Sequence, residues 1–142
     1  MLIDSHCHLD RLDLAPFDGQ LSNALDYAKE RGVEQFLCVS IDMDNVHTVL
    51  EMAQQYPQVF ASVGVHPNEQ GRTEPTVEQL VRLAANKKVI AIGETGLDYF
   101  RSEGDLAWQH QRFRNHITAA IQCDKPLIIH CREAREDTIR ML

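Results

Sequence analysis

Short apolar runs alternate with helical patterns along the chain. The runs open near Leu2, Gln35, Val59, Lys88 and Pro126. Gln35 to Ser40, Val59 to Val65, Lys88 to Gly93 and Pro126 to His130 are short and rich in β-branched or apolar residues, as expected of strands covered on both faces. Pro126 stands at a strand start, where a missing N–H is tolerated. Between these runs, Leu21, Ala24, Leu25 and Ala28 keep the spacing of one helix face, with Gly32 as a C-terminal stop. Val46, Val49, Leu50 and Ala53 repeat that spacing ahead of Pro57. Val77, Leu80, Val81 and Ala84 repeat it again behind Thr76 and Gln79, which are spaced as a capping box. Leu106, His110, Phe113, Ile117 and Ile121 mark a longer helix. A last helical stretch runs from near Glu133 to Leu142.

Five βα units in succession predict a parallel sheet with helical crossovers. The strand starts lie about 31 residues apart, and eight units at that spacing need ~250 residues, the usual size of a (β/α)8 barrel. Residues 1–142 are therefore expected to form one α/β domain. It is either an open doubly wound sheet or the first five βα units of a truncated TIM-type barrel. The last helix carries no stop signal, which favours the barrel.

Composition narrows the function classes. The hydrophobic share, 44%, is that of an ordinary globular domain. No run approaches the ~18 apolar residues of a membrane span, and no basic segment followed by an apolar one opens the chain, so neither a span nor a signal peptide is expected. Cys7, Cys38, Cys123 and Cys131 form no CxxC and no dense framework, which points to reduced thiols in a cytoplasmic protein. A net charge of −7 argues against a plain electrostatic DNA-binding module. A site that meets phosphate through divalent ions is compatible with it.

The chemistry-bearing residues gather where such folds keep their sites, at the C-terminal ends of strands. His6 and His8 stand two apart after the first run, so their imidazoles share a face. Glu94 continues the alternation of Ile90 and Ile92, and His130 follows Ile128 by two. Gly93 and Gly96 flank Glu94 and allow a tight backbone turn there. Taken singly, each of these side chains has an ordinary structural explanation. Together, His6, His8, Glu94 and His130 make a mixed nitrogen and oxygen set suited to zinc, manganese or similar ions, with a carboxylate able to bridge two of them. His66, in a Val-His-Pro turn, is a support for a ligand, a substrate contact or a strand cap. Arg132 is either a clamp for phosphate or carboxylate or the partner of Glu133 or Glu136 in a surface ion pair. Tyr99 and Arg101 either line the mouth or serve packing. His47, His110 and His116 are expected to be structural or solvated, and Cys7 and Cys131 to be packing residues rather than thiolates. Ser5 has no triad partner, and no GxSxG, GxGxxG or P-loop occurs.

Four segments in order, residues 2–10 (LIDSHCHLD), 63–67 (VGVHP), 92–99 (IGETGLDY) and 126–134 (PLIIHCREA), resemble the successive motifs of TatD-type metal-dependent hydrolases, of the amidohydrolase-like barrel superfamily. The resemblance implies a (β/α)8 barrel with two divalent metal ions (zinc, magnesium or manganese). His6 and His8 would bind one ion, His130 the other, and Glu94 would bridge them and help activate water. It implies a deoxyribonuclease that often trims DNA from the 3′ end, with DNA as the substrate partner and His66, Tyr99, Arg101 and Arg132 at positions that meet it. The family pattern also has a histidine after strand six and an aspartate after strand eight, which these 142 residues do not reach. The chain alone is therefore expected to be poorly active. It is also expected to self-associate through its open edge strands. The other readings are a hydrolase of amide or ester bonds on a small substrate and an inactive binding fragment.

Overall fold

The computed structural model describes residues 1–71 and 73–142. Strands β1 (Leu2–Cys7), β2 (Val33–Cys38), β3 (Val59–Val63), β4 (Val89–Asp98) and β5 (Leu127–Arg132) lie parallel in the order β1-β2-β3-β4-β5. Each is followed by a helix: α1 (Leu21–Glu30), α2 (Asn45–Gln55), α3 (Val77–Ala84), α4 (Ala107–Cys123) and α5 (Arg135–Met141). Two 3-10 turns, Leu9–Arg11 and Ala15–Phe17, separate β1 from α1. A doubly wound sheet reverses its strand order at a switch point. Here the order follows the sequence without reversal, so the five units form a curled part of a barrel wall.

The helices pack on the outside of that wall. Val46, Val49 and Ala53 of α2 and Leu80 of α3 share a buried cluster with Val59, Ala61 and Val63 of β3, all of them inaccessible to solvent. A smaller cluster joins Leu97 of β4, Phe113 of α4 and Ala134. The capping box is present at α3: the Gln79 amide donates to Thr76 Oγ1 at 3.2 Å and the Thr76 amide to Gln79 Oε1 at 2.9 Å. Among the described residues, no helix is long and apolar enough to cross a membrane.

Three details depart from the sequence pattern. First, β4 runs to Asp98, five residues beyond Gly93, because Thr95 to Asp98 pair with Ile129 to Arg132 of β5. Second, burial on both faces holds for β3 but not for β5, where Ile129 is 39% exposed. In the described sheet β1 and β5 each have one neighbour, which leaves an edge and part of a face in solvent. Third, α5 starts at Arg135 rather than Glu133, whose φ of 53° lies in the left-handed region and turns the chain between strand and helix.

Two buried polar side chains of α4 hold the segment after β3. Arg112 donates through Nε and Nη2 to the Glu74 carboxylate at 2.8 and 2.5 Å, and to the carbonyl oxygens of His66 and Glu69, both at 2.8 Å. His116 accepts the Val65 amide at Nε2, 3.0 Å, and donates from Nδ1 to the Arg112 carbonyl, 2.8 Å. Its ring is therefore the neutral Nδ1–H tautomer. Burial pushes its pKa down to about 4 from 6.5, with Arg112 adding to the fall and the backbone bond opposing it. The folded value lies below the unfolded one, so stability is full above pH 6.5 and is lost as pH falls toward 4, where the unfolded chain takes up the proton first. The loss over that range is on the order of 3 kcal/mol. Urea unfolding of the wild type and His116→Gln at pH 7 and pH 4.5 should show the variant losing less stability between the two. Equal losses would remove His116 as the cause.

Candidate metal centre

The C-terminal ends of the strands deliver their side chains to one place. His6 lies next to the end of β1, with His8 just after it, His66 follows β3, Glu94 lies within β4 and His130 within β5. A buried polar ladder positions Glu94. Ser62 Oγ donates to the Gly93 carbonyl at 2.6 Å and accepts the Ser40 amide at 3.2 Å, and the Glu94 amide donates to the Ser40 carbonyl at 3.1 Å. The Gly93–Glu94 peptide is cis. Pairing of β4 with β5 shifts register between Ile92 and Thr95, so the alternation that places Glu94 with Ile90 and Ile92 does not run unbroken through the strand.

Glu94 stands between two histidine groups. Its Oε2 lies 3.2 Å from His6 Nε2, while its Oε1 lies 3.4 Å from His130 Nδ1 and 3.8 Å from His66 Nε2. In each of the sets His6, His8, Glu94 and His66, Glu94, His130, the ligand-capable atoms all lie within 4.8 Å of one another. His8 donates Nδ1–H to the Val39 carbonyl at 3.0 Å, which leaves its Nε2 as the free donor atom. His6, His8, Glu94 and His130, the four expected ligands, are thus brought together.

His66 is a different case. The Asn68 amide donates to its Nδ1 at 3.1 Å, so the neutral ring carries its proton on Nε2 and donates it to His130 Nδ1, 3.0 Å away. Burial pushes His66 down to about 4, although the Glu94 carboxylate pulls the other way. Protonated at Nε2, His66 suits a hydrogen-bond donor at the rim better than a metal ligand, despite its place in the second set.

The other expected site residues divide. The Arg132 guanidinium lies over the Phe100 ring, 3.8 Å from its centroid, and Phe100 is 55% exposed at the mouth. Arg101 is exposed, and its backbone amide donates to Asp98 Oδ1 at 2.9 Å. The Tyr99 hydroxyl donates to Asp137 at 2.6 Å and accepts from His110 at 2.7 Å, so it ties α4 and α5 together. Burial and Asp137 raise it to about 12. His47 is exposed, and His110 and His116 are structural. Burial raises Cys7 to about 12 and Cys38 to about 11, so neither is a ready thiolate ligand. Cys131 is exposed and accepts from Thr138 of α5, rather than filling a core.

Sequence reasoning passed over Asp98. It is fully buried at the end of β4 and accepts His130 Nε2–H at 2.9 Å. Burial opposes its ionisation, but the Arg101 amide and His130 outweigh that and hold the carboxyl below its usual range. In a strand that continues past Gly93, Glu94, Gly96 and Asp98 share a face, but the continuation rests on pairing with β5.

The family model described as TatD related DNase matches residues 3–142. The chain is 39% identical to an uncharacterised metal-dependent hydrolase of Buchnera aphidicola, covering 99% of this chain and 56% of that protein. It is 37% identical to the 3′-5′ ssDNA/RNA exonuclease TatD of Yersinia pseudotuberculosis, over 81% of this chain and 45% of that one. The crystal structure of a TatD homologue from Escherichia coli, YjjV, superposes with a TM-score of 0.80 at 29% identity, covering 97% of this chain and 53% of that one. The chain spans about half the length of the curated relatives it matches.

Proposed function

The chain belongs to the family of TatD-related DNases, and from that premise we propose that it supplies the metal-binding half of a hydrolase that cleaves phosphodiester bonds in DNA. The observation that carries the reading is one carboxylate, Glu94, facing histidine nitrogens on both of its oxygens. Imidazole nitrogens around a shared carboxylate suit two borderline divalent ions such as zinc or manganese. His6 and His8 would hold one, His130 the other, and Glu94 both. When bound, such ions lower the pKa of water and offset charge on the reacting oxygens.

The chain's own residues do the rest. Glu94 accepts the proton of the attacking water, being the one carboxylate that both histidine groups face. His66 Nε2–H, bonded here to His130 Nδ1, would turn to donate to an oxygen of the substrate where that nitrogen is taken by a metal ion. Arg132, flattened on Phe100, presents a guanidinium edge to phosphate. Arg101 borders the same mouth, and Tyr99 holds α5 in place behind it. The Yersinia relative's name favours single-stranded DNA trimmed from its 3′ end. Free cysteines, two of them held as thiols, fit a reducing cytoplasm.

The test is release of nucleotides from single-stranded DNA by the purified protein with Mg²⁺, Mn²⁺ or Zn²⁺, beside hydrolysis of small amides and esters. Metal-dependent DNA cleavage supports the reading. Turnover of amides without DNA cleavage would replace it with the small-substrate hydrolase. The exposed edges make a second prediction. With Ile3 56% and Ile129 39% exposed on the two edge strands, the 142-residue chain alone should sediment as dimers or larger species at micromolar concentration. A single 16.2 kDa species would overturn it.

A further inference from the structure

We infer that Asp98 is a positioning residue: it fixes His130 in the tautomer whose Nδ1 is unprotonated and can serve as a metal ligand. The inference rests on the metal-centre reading above, but its own observations are separate. Asp98 is fully buried and both of its oxygens are committed. Oδ1 accepts the amides of Phe100, 3.0 Å, and Arg101, 2.9 Å. Oδ2 accepts His130 Nε2–H at 2.9 Å. A carboxylate can accept at both ends, whereas an amide of the same length cannot. The backbone amides thus orient the carboxylate, and the carboxylate orients the ring.

The opposite nitrogen of His130 completes the argument. His130 Nδ1 lies 3.4 Å from Glu94 Oε1 and accepts from His66 Nε2–H. The Asn68 amide on His66 Nδ1 fixes that donor in turn. One direction of donation satisfies the whole chain, from Asn68 through His66 and His130 to Asp98, and it keeps His130 Nδ1 unprotonated, with its lone pair held here by the His66 proton. A neutral His130 with its proton on Nδ1 would meet the His66 proton on one side and lose its bond to Asp98 Oδ2 on the other. Histidine ligands commonly need such a partner on the far nitrogen, and its loss costs ~10–100-fold in metal affinity.

In Asp98→Asn, either the amide group faces His130 Nε2–H or it faces the Phe100 and Arg101 amides. The first arrangement drives the His130 proton to Nδ1. Nitrogen chemical shifts of His130 in the metal-free wild type should report the Nε2–H tautomer. Calorimetric titration with Mn²⁺ should show Asp98→Asn binding ~10–100-fold more weakly. The same substitution in a His130→Ala background should then have no further effect on affinity. A wild-type His130 carrying its proton on Nδ1 overturns the inference, as do unchanged affinity in Asp98→Asn or additive losses in the double variant. Wild-type protein that binds no divalent ion sinks the metal-centre reading. The tautomer, measured without metal, still decides the role of Asp98, including when Asp98→Asn does not fold.

Discussion

Glu94→Gln should lower metal-dependent turnover ~10³-fold or more while leaving the fold intact. The change is nearly isosteric, and the backbone bond that places residue 94, its amide on the Ser40 carbonyl, does not involve the side chain. What changes is charge and donor pattern. Both Glu94 oxygens face imidazole nitrogens, His6 at 3.2 Å and His130 at 3.4 Å. Glutamine keeps one acceptor and sets an N–H₂ group at the other position, so at least one histidine group loses its oxygen ligand. The same substitution removes the carboxylate proposed as base, which among the described residues faces both groups. Loss of a group acting in the transition state costs ~10²–10⁴-fold by itself, and weakened metal binding adds to that. Calorimetry and turnover should therefore fall together, with the urea midpoint unchanged. Full activity in a variant that still binds metal would assign the base to another residue and leave Glu94 a ligand only.

His6, His8, Glu94 and His130 were legible in the sequence because each sits at or just past the end of an apolar run. In a parallel α/β fold that position alone implies a shared face. The five βα units were legible for the same reason, since period-2 and period-3.6 patterns are local. What the pattern did not carry was pairing. That β4 continues through Gly96 to Asp98 depends on Thr95 to Asp98 finding Ile129 to Arg132 across the strand. No local signal around Gly-Leu-Asp-Tyr announces that. Asp98 was missed with it. His66 stayed ambiguous because its role turns on which ring nitrogen carries the proton, and the Asn68 amide two residues on decides this. Tyr99 stayed open between lining the mouth and packing. Its hydroxyl meets His110 and Asp137, contacts 11 and 38 residues away in sequence.

Gly96→Ala should be the most damaging substitution of a residue that carries no chemistry. Gly96 has φ of +141°, a conformation that residues with a Cβ rarely adopt. A Cβ there would run into the carbonyl oxygen of His130, its pairing partner on β5. That oxygen belongs to the backbone and cannot swing aside. The strain alone costs ~1–3 kcal/mol, and separating the strands costs more, so unfolding free energy should fall by roughly 3 kcal/mol or beyond. The functional loss follows from geometry. Moving β5 outward carries His130 away from Glu94 and Asp98, and a displacement of ~1 Å at a reacting group costs ~10²-fold. Gly19→Ala separates the two effects. Gly19 also has positive φ, +72°, but a Cβ there meets nothing within 4 Å. Gly19→Ala should show the conformational cost alone, with metal affinity unchanged. Gly96→Ala should lose both stability and affinity, the latter even at temperatures where the variant is fully folded. If the two variants behave alike, close approach of β4 and β5 is not what holds His130 in the site.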